Sequence, residues 1–141
     1  MNASEARQKS EAVALKAKQE AEAKAAKAEV ARIASEKTAR EKFIKDFDTE
    51  VERYIGYAVE AGRTSTLISI GSSSQCSNTA QSEYDKHKYH DVIEKKVKSL
   101  EKEGYWAAVV QQCDSHTTMH ESSVPDYDYY TYYMALKVSW A

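Results

Sequence analysis

The sequence predicts an α+β protein in which a long, coiled-coil-like N-terminal helix precedes a small β-α-β-β domain with an antiparallel C-terminal hairpin. Three observations lead to this fold class. Residues before Gly62 are mostly the strongest helix formers, β-branched and aromatic segments follow, and glycines separate these segments. We therefore predict two domains, a helix for oligomerisation or docking in residues 1–61 and an α+β head in residues 62–141.

The N-terminal segment contains no proline and a single glycine, Gly56. One continuous helix over this segment would be roughly 85 Å long, which is more than a small head can cover. Apolar residues recur at heptad-like spacing in its C-terminal part, and alanine continues the seam upstream. A solitary solvated helix and a partly helical linker are the alternatives. The spacing favours self-association or docking, through these candidate interface residues: Ile33, Ile44, Phe47, Val51, Tyr54 and Ile55.

The head is predicted to contain a strand at 64–70, a helix through 84–103, a strand at 105–113 and a last strand at 127–140. The β-branched run TSTLISI predicts the first strand, because Gly62 and Gly71 bound it. The helix has an apolar stripe of Tyr89, Ile93, Val97 and Leu100, and its start at Ser77, Asn78 or Ser82 stays open. A long acidic loop joins the last two strands.

Five of the ten tyrosines lie within residues 127–133. Because side chains alternate across a strand, one face of the last strand is expected to meet the helix stripe. The other face carries Tyr129 and Tyr133, which are candidates for contact with another surface. Cross-strand pairing that only stabilises the hairpin is the alternative. The residues on the helix side are Tyr130, Tyr132, Met134, Leu136, Val138 and Trp140.

Charge argues against nucleic-acid and membrane partners. The net charge is −2, although residues 1–40 carry nine Lys/Arg and six Asp/Glu and are therefore net +3. Aromatic residues on a sheet can stack on bases, but the loop beside them carries Asp114, Glu121, Asp126 and Asp128 and would repel phosphate. No apolar run reaches the roughly 20 residues that span a bilayer, and the first residues do not form a secretory signal.

One group of residues has metal-ligand character. Cys113, His116 and His120 have a Cys-x2-His-x3-His spacing, and Cys76 could complete four zinc ligands. Exposed loop histidines are the alternative that we favour, because the compact Cys-x2-Cys pair of zinc ribbons is missing from the sequence. The common catalytic motifs are also missing, so we expect neither an enzyme, nor a cofactor, nor a small-molecule substrate.

The run from Tyr54 to the C-terminus resembles a type of small tailed-bacteriophage reading frame. The resemblance rests on YIGYAVEAGRTSTLISI, on a helix ending LEKEGYWAAVV, and on the closing strand YYTYYMALKVSW. It implies a phage setting, in which a long helix with a small β-rich head serves as a fibre, decoration or connector subunit.

The sequence as a whole therefore predicts a non-enzymatic virion structural protein that is made in the host cytoplasm. Its expected partners are further copies of itself, other virion proteins, or both. The alternatives are a phage-encoded regulator that binds a host protein and, third, a zinc-stabilised binding module.

Overall fold

The computed structural model of the protein describes residues 1–118 and 127–141, and it has the predicted α+β architecture. A long N-terminal helix is followed by a small domain with three antiparallel strands and two further helices. The elements in chain order are α1 (Ala3–Glu60), β1 (Ser65–Ser74), α2 (Ser77–Asp85), α3 (His90–Lys102), β2 (Trp106–Thr118) and β3 (Tyr127–Ser139).

The chain divides into two compact units, Met1–Lys42 and Phe43–Ala141. This boundary lies within α1, whereas the sequence predicted a boundary between residues 61 and 62. The difference arises because the C-terminal part of α1 supplies Phe47 and Val51 to the core of the second unit. We refer to the second unit as the head.

The first unit is a helix whose side chains are all exposed. Local ion pairs support it: Arg32 donates from Nη1 to Glu36 Oε1 at 2.8 Å, and it also pairs with Glu29. The hydrogen bond from Arg32 lowers the pKa of the Glu29 carboxyl. Such pairs and high helix propensity stabilise this unit, because it has no buried apolar face of its own.

The sheet of the head has the strand order β1-β3-β2 with antiparallel neighbours, so the tyrosine-rich strand β3 is central. Strands β2 and β3 pair without a register shift from Trp106↔Ser139 to Thr118↔Tyr127. Strand β1 pairs regularly up to Ile70 and then has a bulge before Ser74. Both β1 and β2 extend beyond the predicted 64–70 and 105–113, so the ends of the predicted acidic loop belong to strands, and its remaining part, 119–126, lies outside the described residues.

One face of the sheet packs against α1, α2 and α3 to form the hydrophobic core. Its most deeply buried side chains include Ile68, Ile93 and Leu136, each 0 % exposed. A salt bridge joins two of the helices at the edge of this core, with Lys96 Nζ 3.2 Å from Asp48 Oδ1. The core cluster consists of Phe47, Val51, Ile68, Ile70, Tyr84, Ile93, Val97, Leu100, Ala107, Met134, Leu136 and Val138.

Glycines end two helices as the sequence indicated. Gly62 has a φ of 72°, and the N–H of Arg63 donates to the carbonyl of Ala58 at 2.8 Å. Gly104 has a φ of 95°, and the N–H of Tyr105 donates to the carbonyl of Leu100 at 3.0 Å. Glycine adopts this left-handed conformation without a Cβ clash, and so the chain can reverse direction and satisfy the last helical carbonyls.

The sequence predicted one helix through 84–103, but the structure has two helices in this region. The prediction of a continuous helix was therefore wrong. The helix breaks between Asp85 and His90, where the Tyr89 N–H donates to His87 Nδ1 at 3.0 Å instead of to a helical carbonyl. The Tyr89 ring then stacks on Phe43, with 4.4 Å between ring centroids. Tyr89 therefore packs on α1, while Ile93, Val97 and Leu100 cover the sheet as predicted.

Candidate interaction surface

Strand β3 separates its side chains onto two faces, as the alternation predicted. Met134, Leu136 and Val138 are at most 4 % exposed and face the helices. Tyr130 has the same parity but is 50 % exposed, because it lies near the distal end of the hairpin, opposite Ser115. The sequence predicted that the helix covers every residue on this face of the strand, and this prediction is wrong for Tyr130.

We call the other side of the sheet the open face, since no helix of the described residues packs on it. It consists of the side chains on the parity of Tyr129 and Tyr133 in β3, together with their cross-strand partners. At one end of this face Trp106 is 55 % exposed and Leu67 is 38 % exposed. Lys137 Nζ lies 5.9 Å from the centroid of the Trp106 ring, a cation–π arrangement.

The other end of the open face contains a cleft of about 600 Å³. The aromatic part of its lining is formed by His116, Tyr129 and Tyr133. The His116 and Tyr129 rings stack with 5.0 Å between centroids and an interplanar angle of 21°. Asp114 pairs directly with Thr131, which lies between Tyr129 and Tyr133 on this face of β3. The cleft therefore combines aromatic rings, hydroxyls and one carboxylate from all three strands of the sheet.

The predicted helix interface must be corrected at two residues. Phe47 is 6 % exposed and Val51 is fully buried, and both belong to the core of the head. Tyr54 and Ile55 are half-buried and pack against the same core. The apolar spacing in this part of α1 therefore reflects packing within the chain, which is why a heptad-like pattern arose there.

The remaining interface candidates lie on the surface. Ile33 is 53 % exposed and Ile44 is 37 % exposed. On the open face Tyr129 is 36 % exposed and Tyr133 is half-buried. These four residues stay predictions for partner contact.

The structure does not bring together those zinc-ligand candidates that lie within the described residues. Cys113 pairs with Tyr132 and faces the helix side, whereas His116 pairs with Tyr129 and lies on the open face. The two cannot share a metal ion or act as nucleophile and base across the sheet. His120 lies outside the described residues, and among residues 1–118 and 127–141 there is no group of three potential ligands, Cys76 included.

A cluster that the sequence did not reveal surrounds Tyr132 on the helix side. Tyr132 pairs with Cys113 on one side and with Ser74 on the other, and Cys76 follows Ser74 closely. The charge of the Cys113 thiolate raises the pKa of the Tyr132 phenol, and Cys76 acts in the same direction. Only the hairpin register places these groups together, so residue spacing alone gave no signal for them.

Cys76 immediately precedes α2, and this position changes its acidity. The backbone N–H of Thr79, then the Thr79 hydroxyl and the N–H of Asn78, favour the thiolate and lower the pKa of Cys76. Helix N-termini act on cysteine in this way generally. In a Cys113→Ser background, we expect Cys76 to react with iodoacetamide roughly several-fold faster at neutral pH in the folded chain than in urea.

The measurement is the alkylation rate as a function of pH, followed by mass spectrometry. The rate should reach its midpoint at lower pH in the folded chain, because a lowered pKa gives thiolate at lower pH. The unfolded chain is the matched control, since it carries the same thiol without the helix. Identical midpoints in the two states would contradict the assignment.

Asp114 is the second residue that sequence reasoning did not single out. The sequence predicts an acidic loop at Asp114, but the residue lies within β2 on the same face as Tyr129 and Tyr133. The alternation rule would have found it if the strand had been extended beyond Cys113.

Comparisons of the chain with protein-family models, with curated proteins and with solved structures found no match. No helix among the described residues has the length and apolar character that crossing a membrane requires.

Proposed function

We propose that this protein is a non-enzymatic structural subunit that assembles through its N-terminal helix and presents an α+β head. The observation that carries the proposal is the complete exposure of residues 1–42 in a helix. A helix in water normally gains most of its stability from packing an amphipathic face. A polypeptide that binds the first unit would supply that packing.

Four large apolar side chains on the first unit support assembly. Val13, Leu15, Val30 and Ile33 are 53–70 % exposed. Alanine occupies many positions between them and permits close approach of a second helix. The proposed partner is another copy of the chain, a further structural protein, or both.

The setting that we propose is a tailed-bacteriophage particle, and it is supported by the sequence resemblance of residues 54–141. In this setting the helix joins the subunit to the particle and the open face of the sheet points to a partner. The protein should then copurify with particles at a fixed copy number. Its absence from purified particles would contradict the virion assignment and favour a regulator of a host protein.

Self-assembly through the helix is tested with charge substitutions. Val30→Glu combined with Ile33→Glu should raise the dissociation constant of the oligomer by at least about tenfold, since both apolar groups would face the partner helix. Analytical ultracentrifugation of the intact chain measures this against the monomer mass of 15.9 kDa. The head should retain its stability in the same variant.

A matched control adds the same charge elsewhere on the exposed helix. Gln8→Glu combined with Gln19→Glu also adds two negative charges, and we expect it to leave the oligomer unchanged. An intact chain that is monomeric at all concentrations would exclude bundling and leave docking on a different protein. Equal weakening by both double variants would indicate a non-specific charge effect.

A further inference from the structure

The cleft on the open face contains one carboxylate, that of Asp114, between two cross-strand pairs that each include a tyrosine. Asp114 is directly opposite Thr131, and the neighbouring rows on this face pair His116 with Tyr129 and Gln112 with Tyr133. Diagonal neighbours in an antiparallel pair are about 7–8 Å apart, a distance that aromatic side chains reach. Tyr129 and Tyr133 are therefore the diagonal neighbours of Asp114 across the strand pair.

The electrostatic character of this cleft is one-sided. Asp114 is exposed, and among the described residues that line the cleft no lysine or arginine occurs and His116 is the only side chain that can carry a positive charge. Within the described residues, Asp114 has no ion-pair partner. Ring faces and a carboxylate both attract a cation, and both disfavour an anion such as phosphate.

We propose that this cleft binds the guanidinium group of an arginine side chain on a partner protein. A guanidinium is planar, stacks on aromatic rings and donates two parallel hydrogen bonds to a carboxylate. The hydroxyls of Ser69 and Thr131 also line the cleft and can accept from the remaining N–H groups. The inference concerns the head alone, so it is independent of assembly through the N-terminal helix.

The shape of the cleft favours a side chain presented by a polypeptide. The cleft lies on the surface of a sheet, and Tyr129 at its rim is 36 % exposed. An approaching protein surface would cover the ring edges and exclude water, which strengthens a cation–π contact. The apolar end of the same face, with Trp106 and Leu67, would add contact area to such an interface.

The experiment uses the intact isotope-labelled chain and two peptides that differ only in charge. One is a capped Gly-Arg-Gly peptide, and the other contains citrulline, the neutral isostere of arginine. In ¹H–¹⁵N NMR titrations the arginine peptide should shift the amides of Asp114, Thr131 and Tyr133, with a dissociation constant on the order of millimolar. The citrulline peptide should bind about tenfold more weakly or not at all.

Two substitutions on the same hairpin complete the test. Asp114→Asn should weaken arginine-peptide binding about tenfold, because it removes the charge but keeps the shape. Asp128→Asn is the matched control, since Asp128 pairs with Thr117 on the helix side of the sheet and should leave binding unchanged.

Several results would overturn the proposal. These are equal binding of the citrulline peptide, full binding by the Asp114→Asn variant, or shifts that map away from the cleft. A third peptide with lysine in place of arginine tests the choice of a guanidinium, and stronger binding of this peptide than of the arginine peptide would overturn that choice. The oligomeric state does not enter these readouts, so their failure would leave the helix proposal standing.

Discussion

Replacing Val51 by aspartate is expected to unfold the head. Val51 is fully buried where α1 meets the core, and an unpaired carboxylate there would lose its hydration without gaining a partner. We expect a loss of more than about 4 kcal/mol in the free energy of unfolding, which is a large part of the stability of a small domain. Urea titration followed by near-ultraviolet circular dichroism measures the loss.

The matched control makes the same substitution on the same helix but in the first unit. Val30 is 69 % exposed, so Val30→Asp should change the stability of the head by less than about 1 kcal/mol. A stable head in the Val51→Asp variant would show that α1 does not belong to the core of the head. Equal destabilisation by both variants would place the domain boundary elsewhere.

Replacing Leu136 by alanine should produce the second large effect. Leu136 is fully buried on the central strand, where it pairs with Ile68 on one side and with Val109 on the other. Truncation leaves a cavity that neighbours on three strands cannot fill, and similar substitutions cost about 2–5 kcal/mol. The midpoint of urea unfolding should fall accordingly while its slope stays constant.

The open face provides the comparison for this substitution. Leu67 is 38 % exposed on β1, so Leu67→Ala removes the same atoms from a partly solvated position. We expect a loss below about 1 kcal/mol. Equal losses of stability would mean that Leu67 is also buried in solution. The open face would then be covered already and could not bind a partner.

Much of the fold could be predicted because local signals and tertiary packing agree. Composition identifies α1, glycines with positive φ end α1 and α3, and alternation in β3 separates Leu136 from Tyr133. These features depend on residues near one another in sequence. They are therefore visible without knowledge of long-range contacts.

The missed features depend on contacts between distant segments. Phe47 and Val51 show helical spacing that fits either a partner helix or the protein's own sheet, and only the tertiary structure decides between them. The break before α3 depends on the stack of Tyr89 against Phe43. The apolar stripe through Ile93, Val97 and Leu100 predicts a helix but does not show where it begins, and the prediction did not treat the weaker helix formers at residues 85–90 as a break.

The candidate site was predicted in part for the same reason. Alternation placed Tyr129 and Tyr133 on the face opposite the core, but the partners of these tyrosines come from β2. Assigning residues after Cys113 to a loop hid Asp114 and grouped His116 with a cysteine on the opposite face. A polar, serine- and threonine-rich strand end is difficult to distinguish from a loop by composition.

The alternation of the β3 side chains between two faces has an evolutionary consequence. Core positions such as Leu136 and positions on the opposite face such as Tyr133 alternate in one stretch of chain, although Ala135 on that opposite face is also fully buried. Substitutions at the exposed open-face positions therefore leave the packed side of the same strand intact, so that the surface chemistry of this face can change by single-codon steps while the core is kept.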